Sequence, residues 1–162
     1  MSDEISLRNP APDKFPRFIA PLSIAFNEEI SAAAIENDRY TIELDRFVGA
    51  LDGHEVVGCS GAYSFRLTVP GGEVGAAGVT AVDVLPSHRR RGILRQMMTW
   101  IFEQARQRHE AVAILWASEA AIYKRFGFGP GALSTAFEVP TDKVRFRATN
   151  GTIWPIPDRH HR

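Results

Sequence analysis

Cysteine is almost absent from this sequence, because Cys59 is the only one in 162 residues. A single cysteine excludes an intrachain disulfide and a cysteine metal cluster. Cys59 lies in the strand-like run Val56–Tyr63, so we expect a small buried hydrophobic side chain rather than a nucleophile. The five histidines are scattered along the chain, and no metal site is predicted.

Net charge and long apolar runs are also lacking. Nineteen basic and nineteen acidic side chains cancel, whereas nucleic acids and anionic membranes bind proteins with a net basic face. No apolar run has the length of a transmembrane helix, and the opening Met-Ser-Asp-Glu lacks the basic and apolar regions of a signal peptide. We therefore expect a cytoplasmic protein without a nucleic-acid or membrane partner. The P-loop pattern Gly-x-x-x-x-Gly-Lys-Ser/Thr is absent as well, which excludes that kind of phosphate site.

What is present suits one domain with a buried core, since 44% of the residues are hydrophobic. The start of the chain predicts a short strand over Glu4–Arg8. Apolar residues at helical spacing over Phe15–Phe26 predict a helix, with a break at Pro21. A second short helix is predicted over Glu28–Ile35.

Two hairpins are predicted next, each from two strand-like runs around a turn. Asp52-Gly53 supplies the two positive φ values of a tight turn, and Pro70–Gly72 is also typical turn chemistry. Three antiparallel strands are therefore expected, because the two middle runs join through the strand-like stretch Val56–Tyr63. The four runs are Arg46–Leu51, Glu55–Cys59, Tyr63–Val69 and Glu73–Leu85.

A helix and a parallel strand are predicted after the hairpins. Apolar residues recur at helical spacing from Ile93, and this helix is expected to run to about Arg108. The unbroken apolar run Ala111–Trp116 suits a strand buried on both faces and parallel to the strand before the helix. Strand, helix and strand then form a right-handed crossover.

The last predicted elements are a short helix and a strand. Ser118 is expected to cap a helix over Glu119–Phe126 that Gly127 ends, and Leu133–Val139 alternates as a strand. The fold class is therefore α/β, with a mixed, mostly antiparallel sheet that contains a central parallel pair and is flanked by helices. We place a folded domain in residues 1–140 and an irregular segment in residues 141–162.

The junction His88–Gly92 connects the predicted strand Val79–Leu85 to the long helix. We interpret it as the first turn of that helix, where unpaired backbone N–H groups and the positive end of the helix dipole lie. Three arginines beside the positive end of the dipole are unfavourable unless an anion binds there. Glycine lets a ligand approach the backbone. A phosphate or pyrophosphate fits these groups. The alternative is a solvated basic surface.

The run from His88 to Leu94 resembles the Gln/Arg-x-x-Gly-x-Gly/Ala signature of the GCN5-related N-acetyltransferases (GNAT), in a variant with Leu or Ile at the last position. Four stretches are similar to one branch of that family, the enhanced intracellular survival (Eis) acetyltransferases, and the resemblance covers roughly residues 45 to 139. They are Val69-Pro-Gly-Gly, Gly78-Val-Thr-Ala-Val, Leu85-Pro-Ser-His-Arg-Arg-Arg-Gly-Ile-Leu and Ala117-Ser-Glu-Ala-Ala-Ile-Tyr-Lys-Arg-Phe-Gly-Phe-Gly.

The resemblance implies a GNAT fold, whose central parallel strands splay apart, and acetyl-CoA as co-substrate. The backbone of Val82–Val84 would bind the pantetheine arm, and an N–H near Val84 would polarise the thioester carbonyl. Arg90–Arg95 would hold the pyrophosphate. Tyr123 matches the tyrosine that protonates the departing CoA thiolate, which makes it the implied catalytic residue. The implied cofactor-binding residues are Val82, Asp83, Val84, Arg90, Arg91, Gly92, Ile93, Leu94, Arg95, Ser118 and Glu119.

The strand residues of this set also have structural interpretations. The side chains of Val82 and Val84 fit the core of a sheet, which is compatible with a backbone role. Asp83 departs from the uncharged residue expected in the family. Three interpretations of Asp83 stay open: it pairs with an arginine, binds an amine, or faces solvent.

The residues after the second parallel strand have alternatives too. A phenol with a pKa near ~10 is protonated at neutral pH and can donate to a thiolate held in contact with it. Without the resemblance, however, Tyr123 fits simple packing beside its apolar neighbours. Ser118 and Glu119 fit a helix cap and its first turn.

The resemblance implies an N-acetyltransferase that transfers acetyl from acetyl-CoA to a primary amine, of an aminoglycoside or a lysine, in a ternary complex. The alternative is an acyl-CoA-binding module with little or no turnover, a part of a larger Eis-like enzyme. Eis acetyltransferases are much longer than this sequence, and the resemblance places their general base at the terminal carboxylate of the full chain. No base stands out within residues 1–162, and His88 is expected to be structural. A homo-oligomer is compatible with the sequence.

Overall fold

The computed structural model describes residues 5–26 and 41–133, together with residues 135, 138, 140 and 142. The chain divides into two compact units, Met1–Gly129 and Pro130–Arg162. The helices and strands below all belong to the first unit. The predicted helix Glu28–Ile35, most of the predicted strand Leu133–Val139 and most of residues 141–162 lie outside the described residues.

Five strands and three helices make up the described part of the fold. They are β1 (Ser6–Arg8), α1 (Phe15–Phe26), β2 (Phe47–Asp52), β3 (Glu55–Val69), β4 (Gly72–Val84), α2 (Ile93–Gln107), β5 (Val112–Leu115) and α3 (Ala120–Tyr123). The strands form one sheet in sequence order. The first four are antiparallel neighbours, and β4 and β5 are parallel. The predicted fold class, a mixed sheet with one parallel pair and flanking helices, is therefore confirmed.

Both predicted hairpins are present, with one correction at the first turn. Asp52 pairs with Glu55, so the two-residue loop begins at Gly53 rather than at Asp52. Within this loop only Gly53 has a positive φ, of 59°, which is the pattern of a turn with glycine at its first central position. At the second turn Gly71 has a φ of 92°, as expected for glycine after proline.

α1 and α2 pack on opposite faces of the sheet, because neighbouring side chains of β2 point to opposite sides. Phe47 packs with Phe15 and Ile19 of α1, whereas Val48 packs with residues of α2 such as Met97. The apolar stripe predicted for α2 is the face that is buried. Each face of the sheet therefore has its own core.

Pro21 lies inside α1, so the predicted break at this residue is wrong. A proline in a helix interior removes one hydrogen bond and favours a kink, at a cost of about 3 kcal/mol. The apolar face of α1 offsets this term, since Phe15 and Ile19 are buried against Phe47. Local propensity is overridden here by packing on the sheet.

β5 follows α2 and pairs in parallel with Ala76–Val79, as predicted. Among the described strands it has no second neighbour, and Val112 is 41% exposed. The prediction that this run is buried on both faces is therefore wrong. An apolar run does not reveal how many strands flank it, which depends on the tertiary arrangement.

A buried ion pair ties the turn directly before β2 to the loop before β5. Both terminal nitrogens of Arg46 bond the carboxylate of Glu110, with Nη2 and Oε2 2.7 Å apart. The side chains are 1% and 6% exposed. Nη1 also donates to Ser64 Oγ, whose hydroxyl in turn donates to Glu43. This network fixes where β5 begins relative to the rest of the sheet.

Candidate active site

β4 contains an irregularity where it separates from β5. The parallel pairing ends at Val79, and the register between β3 and β4 shifts between Thr80 and Asp83. Two residues of β4 therefore face one residue of β3, and Ala81 has a φ of 53°, which together define a β-bulge. Beyond it, β4 has no partner on the β5 side among the described strands. Open sheets usually bind ligands at the carboxyl ends of such a parallel pair, so this end of β4 is the candidate cleft.

The basic junction lies before α2 and not in its first turn, which corrects the sequence prediction. Pro86–His88 forms a short 3-10 helix, and Gly92 is the N-cap of α2 with a φ of 81°. Arg90 has a left-handed φ of 64°, which a right-handed helix does not contain. The arginines therefore lie on an exposed turn that leads into the N-terminus of α2, whose first N–H groups have no partner within the helix.

Two of the three arginines have protein partners. Arg91 Nη1 donates to Oδ2 of Asp52 at 3.0 Å, and His88 Nε2 lies 3.1 Å from the same oxygen. The hydrogen bond from Arg91 holds the pKa of Asp52 below its usual value. Arg89 Nε lies 3.4 Å from the carbonyl oxygen of Val84. The contact with Asp52 agrees with the structural role expected for His88, which stays a prediction. Asp52 is a residue of this region that the sequence predicted only as part of a turn.

The remaining predicted residues of this turn divide by exposure. Arg90 and Arg95 are exposed. A Cβ placed on Gly92 would have no atom within 4 Å, so the space beside its backbone is open. Ile93 is buried and Leu94 is partly buried in the core, so these two side chains hold α2 on the sheet and are not available to a ligand.

Tyr123 lies at the end of α3 and is half-buried. The edge of its ring packs on Phe128, with ring centroids 5.8 Å apart, and Phe128 packs on Phe102 of α2. Burial raises the pKa of the Tyr123 phenol. The group is therefore protonated at neutral pH, as a proton donor must be.

Ser118 and Glu119 follow β5 and are exposed. The prediction that Ser118 caps the next helix is wrong, because the N-cap is Glu119 and no side chain bonds the helix N-terminus there. The regular helix ends at Tyr123, and a 3-10 turn continues it to Phe126. Gly127, with a φ of 91°, ends this segment as predicted.

The side chains of Val82 and Val84 are partly buried and pack against the two cores beneath α2, which confirms the structural interpretation of both. Asp83 between them is 95% buried, since its exposed fraction is 5%. The solvent-facing interpretation of Asp83 is therefore wrong. Its Oδ1 accepts hydrogen bonds from the backbone N–H and the Sγ of Cys59, both at 3.0 Å. Its Oδ2 has no partner among the described residues.

Burial raises the pKa of Asp83 from its usual 3.8 to about 6, although the Cys59 bonds partly oppose this shift. Burial, followed by the charge of Asp83, raises the pKa of the Cys59 thiol well above its usual value. Cys59 is buried, as predicted, and at neutral pH it is a neutral donor. The sequence missed this pair, because the two residues are 24 positions apart and meet only through the shifted register.

A test of this burial is the pH dependence of stability. The folded state holds the Asp83 proton more tightly than the unfolded state, so the free energy of unfolding should fall as the pH rises from about 4 through about 6. Asp83→Asn removes this loss. Urea titrations should find the variant more stable relative to wild type at pH 8 than at pH 4, by about 2 kcal/mol. If the stability difference between Asp83→Asn and wild type is the same at both pH values, the site does not favour the uncharged form of Asp83.

Among residues 5–26 and 41–133, no cluster of three or more His, Cys, Asp or Glu side chains is arranged to hold a metal ion. No helix within the same ranges has the length and apolar character needed to cross a membrane.

The sequence profile of the acetyltransferase (GNAT) domain matches residues 6–131. The chain belongs to the GNAT acetyltransferase family. The match includes every strand and helix described above. The resemblance inferred from the basic turn and the segment around Tyr123 is therefore confirmed at the level of the family.

Individual members of the GNAT family show the same relationship. The chain is 49% identical over 111 residues to an uncharacterized N-acetyltransferase of Streptomyces avermitilis, covering 68% of this chain and 27% of the relative. It is 36% identical over 151 residues to the N-acetyltransferase Eis of Mycobacterium tuberculosis, covering 89% and 37% of the two chains. The crystal structure of Eis1 from Mycobacterium abscessus aligns with a TM-score of 0.68 and 36% identity, over 78% of this chain and 31% of that one. The chain thus spans only about a quarter to just over a third of these relatives' lengths.

Proposed function

We propose that this GNAT chain is an acetyl-CoA-dependent N-acetyltransferase that acts on a primary amine, of an aminoglycoside or a lysine side chain, with Tyr123 as general acid. The observation that carries the proposal is the bulged end of β4. There the strand leaves its parallel partner directly before the arginine turn and the N-terminus of α2. The similarity of the chain to proteins named N-acetyltransferase and Eis supports the same function.

The candidate cleft suits two chemical parts of acetyl-CoA, the pantetheine arm and the pyrophosphate. The backbone of Val82–Val84, unpaired on the β5 side among the described strands, offers N–H and C=O groups to the amide-rich pantetheine arm, as an added strand would. The exposed guanidinium groups of Arg90, Arg91 and Arg95 and the open backbone at Gly92 offer donors for a pyrophosphate. Ser118 and Glu119, exposed after β5, would line the other side of the same cleft.

In the proposed reaction the neutral amine attacks the carbonyl carbon of the thioester. A C–N bond forms, and the negative charge that develops on the carbonyl oxygen is stabilised by a backbone N–H near Val84. When the tetrahedral intermediate collapses, the C–S bond breaks and the thiolate takes the proton of Tyr123. The attacking nitrogen gives up its proton to solvent, and solvent also restores the proton of the Tyr123 phenol.

One assay tests this function and separates it from a binding role. Release of free CoA from acetyl-CoA would be measured with neamine and with a lysine amide as acceptors, from pH 7 to pH 9.5, because only the neutral amine attacks. Calorimetry would measure acetyl-CoA binding in parallel. Amine-dependent release of CoA is the expected result. Binding without release would instead favour an acyl-CoA-binding module, and the absence of binding would exclude both functions.

Arg91→Ala tests the proposed pyrophosphate site. Loss of charge-assisted hydrogen bonds worth ~1.5–3 kcal/mol should weaken acetyl-CoA binding by at least ~10-fold. Because Arg91 also bonds Asp52, the apparent loss includes the energy needed to exchange that carboxylate for the phosphate.

The matched control is Arg106→Ala, which removes the same charge near the other end of α2, where the guanidinium is exposed and bonds Glu103. Its acetyl-CoA affinity should stay within ~2-fold of wild type, since exposed charges at that distance are largely screened. Equal affinities of the two variants, measured by calorimetry, would remove Arg91 from the cofactor site.

A further inference from the structure

The bulge in β4 is bridged by side-chain contacts across the two strands. Cys59 on β3 donates from its backbone N–H and from its Sγ to Oδ1 of Asp83, each at 3.0 Å. The same Sγ lies 3.3 Å from the carbonyl oxygen of Ala81, the residue with the left-handed φ. A single cysteine therefore contacts β4 within the bulge, at Ala81, and directly after it, at Asp83.

These contacts replace main-chain pairing that the bulge interrupts. An extra residue in one strand disrupts the local ladder and leaves backbone groups without their regular partners. Here the carboxylate of Asp83 supplies the acceptor for the Cys59 N–H. Both residues are buried, with exposed fractions of 2% and 5%, so water does not compete for these hydrogen bonds.

The strands also approach closely beside this pair. A Cβ placed on Gly58 would lie 2.7 Å from the carbonyl oxygen of Asp83. Leu85 N–H, just beyond β4, donates to the carbonyl oxygen of Val57 at 2.8 Å. The backbone on the far side of the bulge is thus held against β3 with little room to shift.

We propose that Cys59 and Asp83 form a clamp that fixes the β4 bulge and thereby positions the backbone of Val82 and Val84 toward the acetyl-CoA cleft. The proposal rests on the proposed function, since the clamp affects catalysis only if this backbone binds acetyl-CoA. Neither side chain touches the cofactor in this role, so both are positioning residues that act through β4. A misplacement of about 1 Å in such a site can lower a rate by ~10²-fold.

Two substitutions at Asp83 separate the clamp from its charge. Asp83→Ala removes the acceptor, and we expect it to weaken acetyl-CoA binding by ~10-fold and to lower the rate of CoA release with neamine by ~10²-fold. Asp83→Asn keeps the Oδ1 acceptor without the charge, and it should stay within ~3-fold of wild type in both measurements. An Asp83→Ala variant with wild-type affinity and rate would overturn the proposal.

Val56→Ala provides the control for a general loss of stability. Val56 is a buried residue of the same strand, and it packs with Phe18 and Leu51 in a cluster that contains neither clamp residue. This variant should lose stability by unfolding measurements and keep the affinity for acetyl-CoA. If Val56→Ala and Asp83→Ala weaken binding equally at equal stability, the role of Asp83 is general packing and the proposal is wrong.

Hydrogen exchange tests the clamp in the absence of the cofactor. In the free protein the Cys59 amide should be protected in wild type and in Asp83→Asn, and should exchange at least ~10-fold faster in Asp83→Ala. Equal protection in all three proteins would overturn the clamp even if acetyl-CoA binds. If wild type does not bind acetyl-CoA, the proposed function fails, whereas the exchange rates still report whether the clamp exists.

A pair of cysteine variants covers the case in which Asp83→Ala does not fold. Cys59→Ser keeps a side-chain donor to Asp83, and Cys59→Ala removes it while both keep the backbone N–H. Acetyl-CoA binding should be weaker in Cys59→Ala than in Cys59→Ser by roughly 3-fold or more. Equal affinities of the two variants would overturn the contribution of the thiol, and equal exchange of the Ala81–Asp83 amides would overturn the clamp.

Discussion

Replacing Tyr123 with phenylalanine should lower the rate of acetyl transfer by at least ~10²-fold, because the departing thiolate loses its proton donor. The ring is retained, so its edge contact with Phe128 and the packing of Phe128 on Phe102 are preserved. Acetyl-CoA affinity should therefore stay within ~3-fold of wild type. A loss in the rate constant with unchanged affinity is the pattern expected of an interaction made only as the reaction proceeds.

Burial makes this hydroxyl suited to the role. Removal of the phenol from water disfavours its charged form and raises the pKa of Tyr123. The group then carries its proton over the whole neutral range. A thiolate is slightly less basic than a phenolate, and the phenol can still protonate the leaving thiolate of CoA if the two atoms are held in contact.

Single-turnover measurements decide the assignment of Tyr123. Acetyl-CoA would be mixed with excess protein and neamine, and the appearance of free CoA would be followed for wild type and Tyr123→Phe. A rate that does not change, with the affinity also unchanged, would mean that another group or water protonates the thiolate. A rate and an affinity that fall together would instead assign Tyr123 to cofactor binding and packing.

Local sequence patterns predicted which helices and strands form. They predicted less well how each element is buried and which strands flank it. The stripe that starts at Ile93 predicted α2, and the turn residues Gly53 and Gly71 predicted two hairpins, because these signals depend on neighbours within a few residues. Pro21 and β5 were misjudged because packing decides them. A buried apolar face carries α1 through Pro21, and only the order of strands in the sheet shows that Val112 is exposed.

The candidate site shows the same division. The basic turn and Tyr123 could be predicted because short motifs carry them. The partners of these residues could not, since Asp52 meets Arg91 across 39 positions and Asp83 meets Cys59 only after a bulge changes the register. A bulge has no strong local signature here, because the left-handed residue is Ala81 and not a glycine. Contacts that depend on register are therefore where the structure adds most to the sequence.

The ion pair of Arg46 and Glu110 carries the largest expected effect on stability. The residues are 64 positions apart, and they join the turn before β2 to the loop that leads into β5, the parallel partner of β4. Removal of one partner leaves the other charge buried without compensation. The guanidinium is especially sensitive, because its Nε already lacks a partner among the described residues.

Glu110→Ala should therefore lower the free energy of unfolding by ~3–5 kcal/mol. Urea denaturation at constant pH measures this value. The double variant Arg46→Met with Glu110→Leu should recover most of the loss, since apolar residues of similar volume avoid the desolvation of both charges. If the double variant is as unstable as Glu110→Ala, the pair contributes through its shape and not through the buried charge.

The matched control is Glu73→Ala, which breaks an ion pair between β3 and β4 on the exposed part of the sheet. Glu73 bonds Arg66 at 3.0 Å, but the two side chains are 52% and 70% exposed. Water and salt screen such a pair, so its loss should change the free energy of unfolding by less than ~1 kcal/mol. Equal losses of unfolding free energy for Glu110→Ala and Glu73→Ala would contradict the importance of burial. A Glu110→Ala protein that is less stable but keeps β5 in place would show that other contacts position β5.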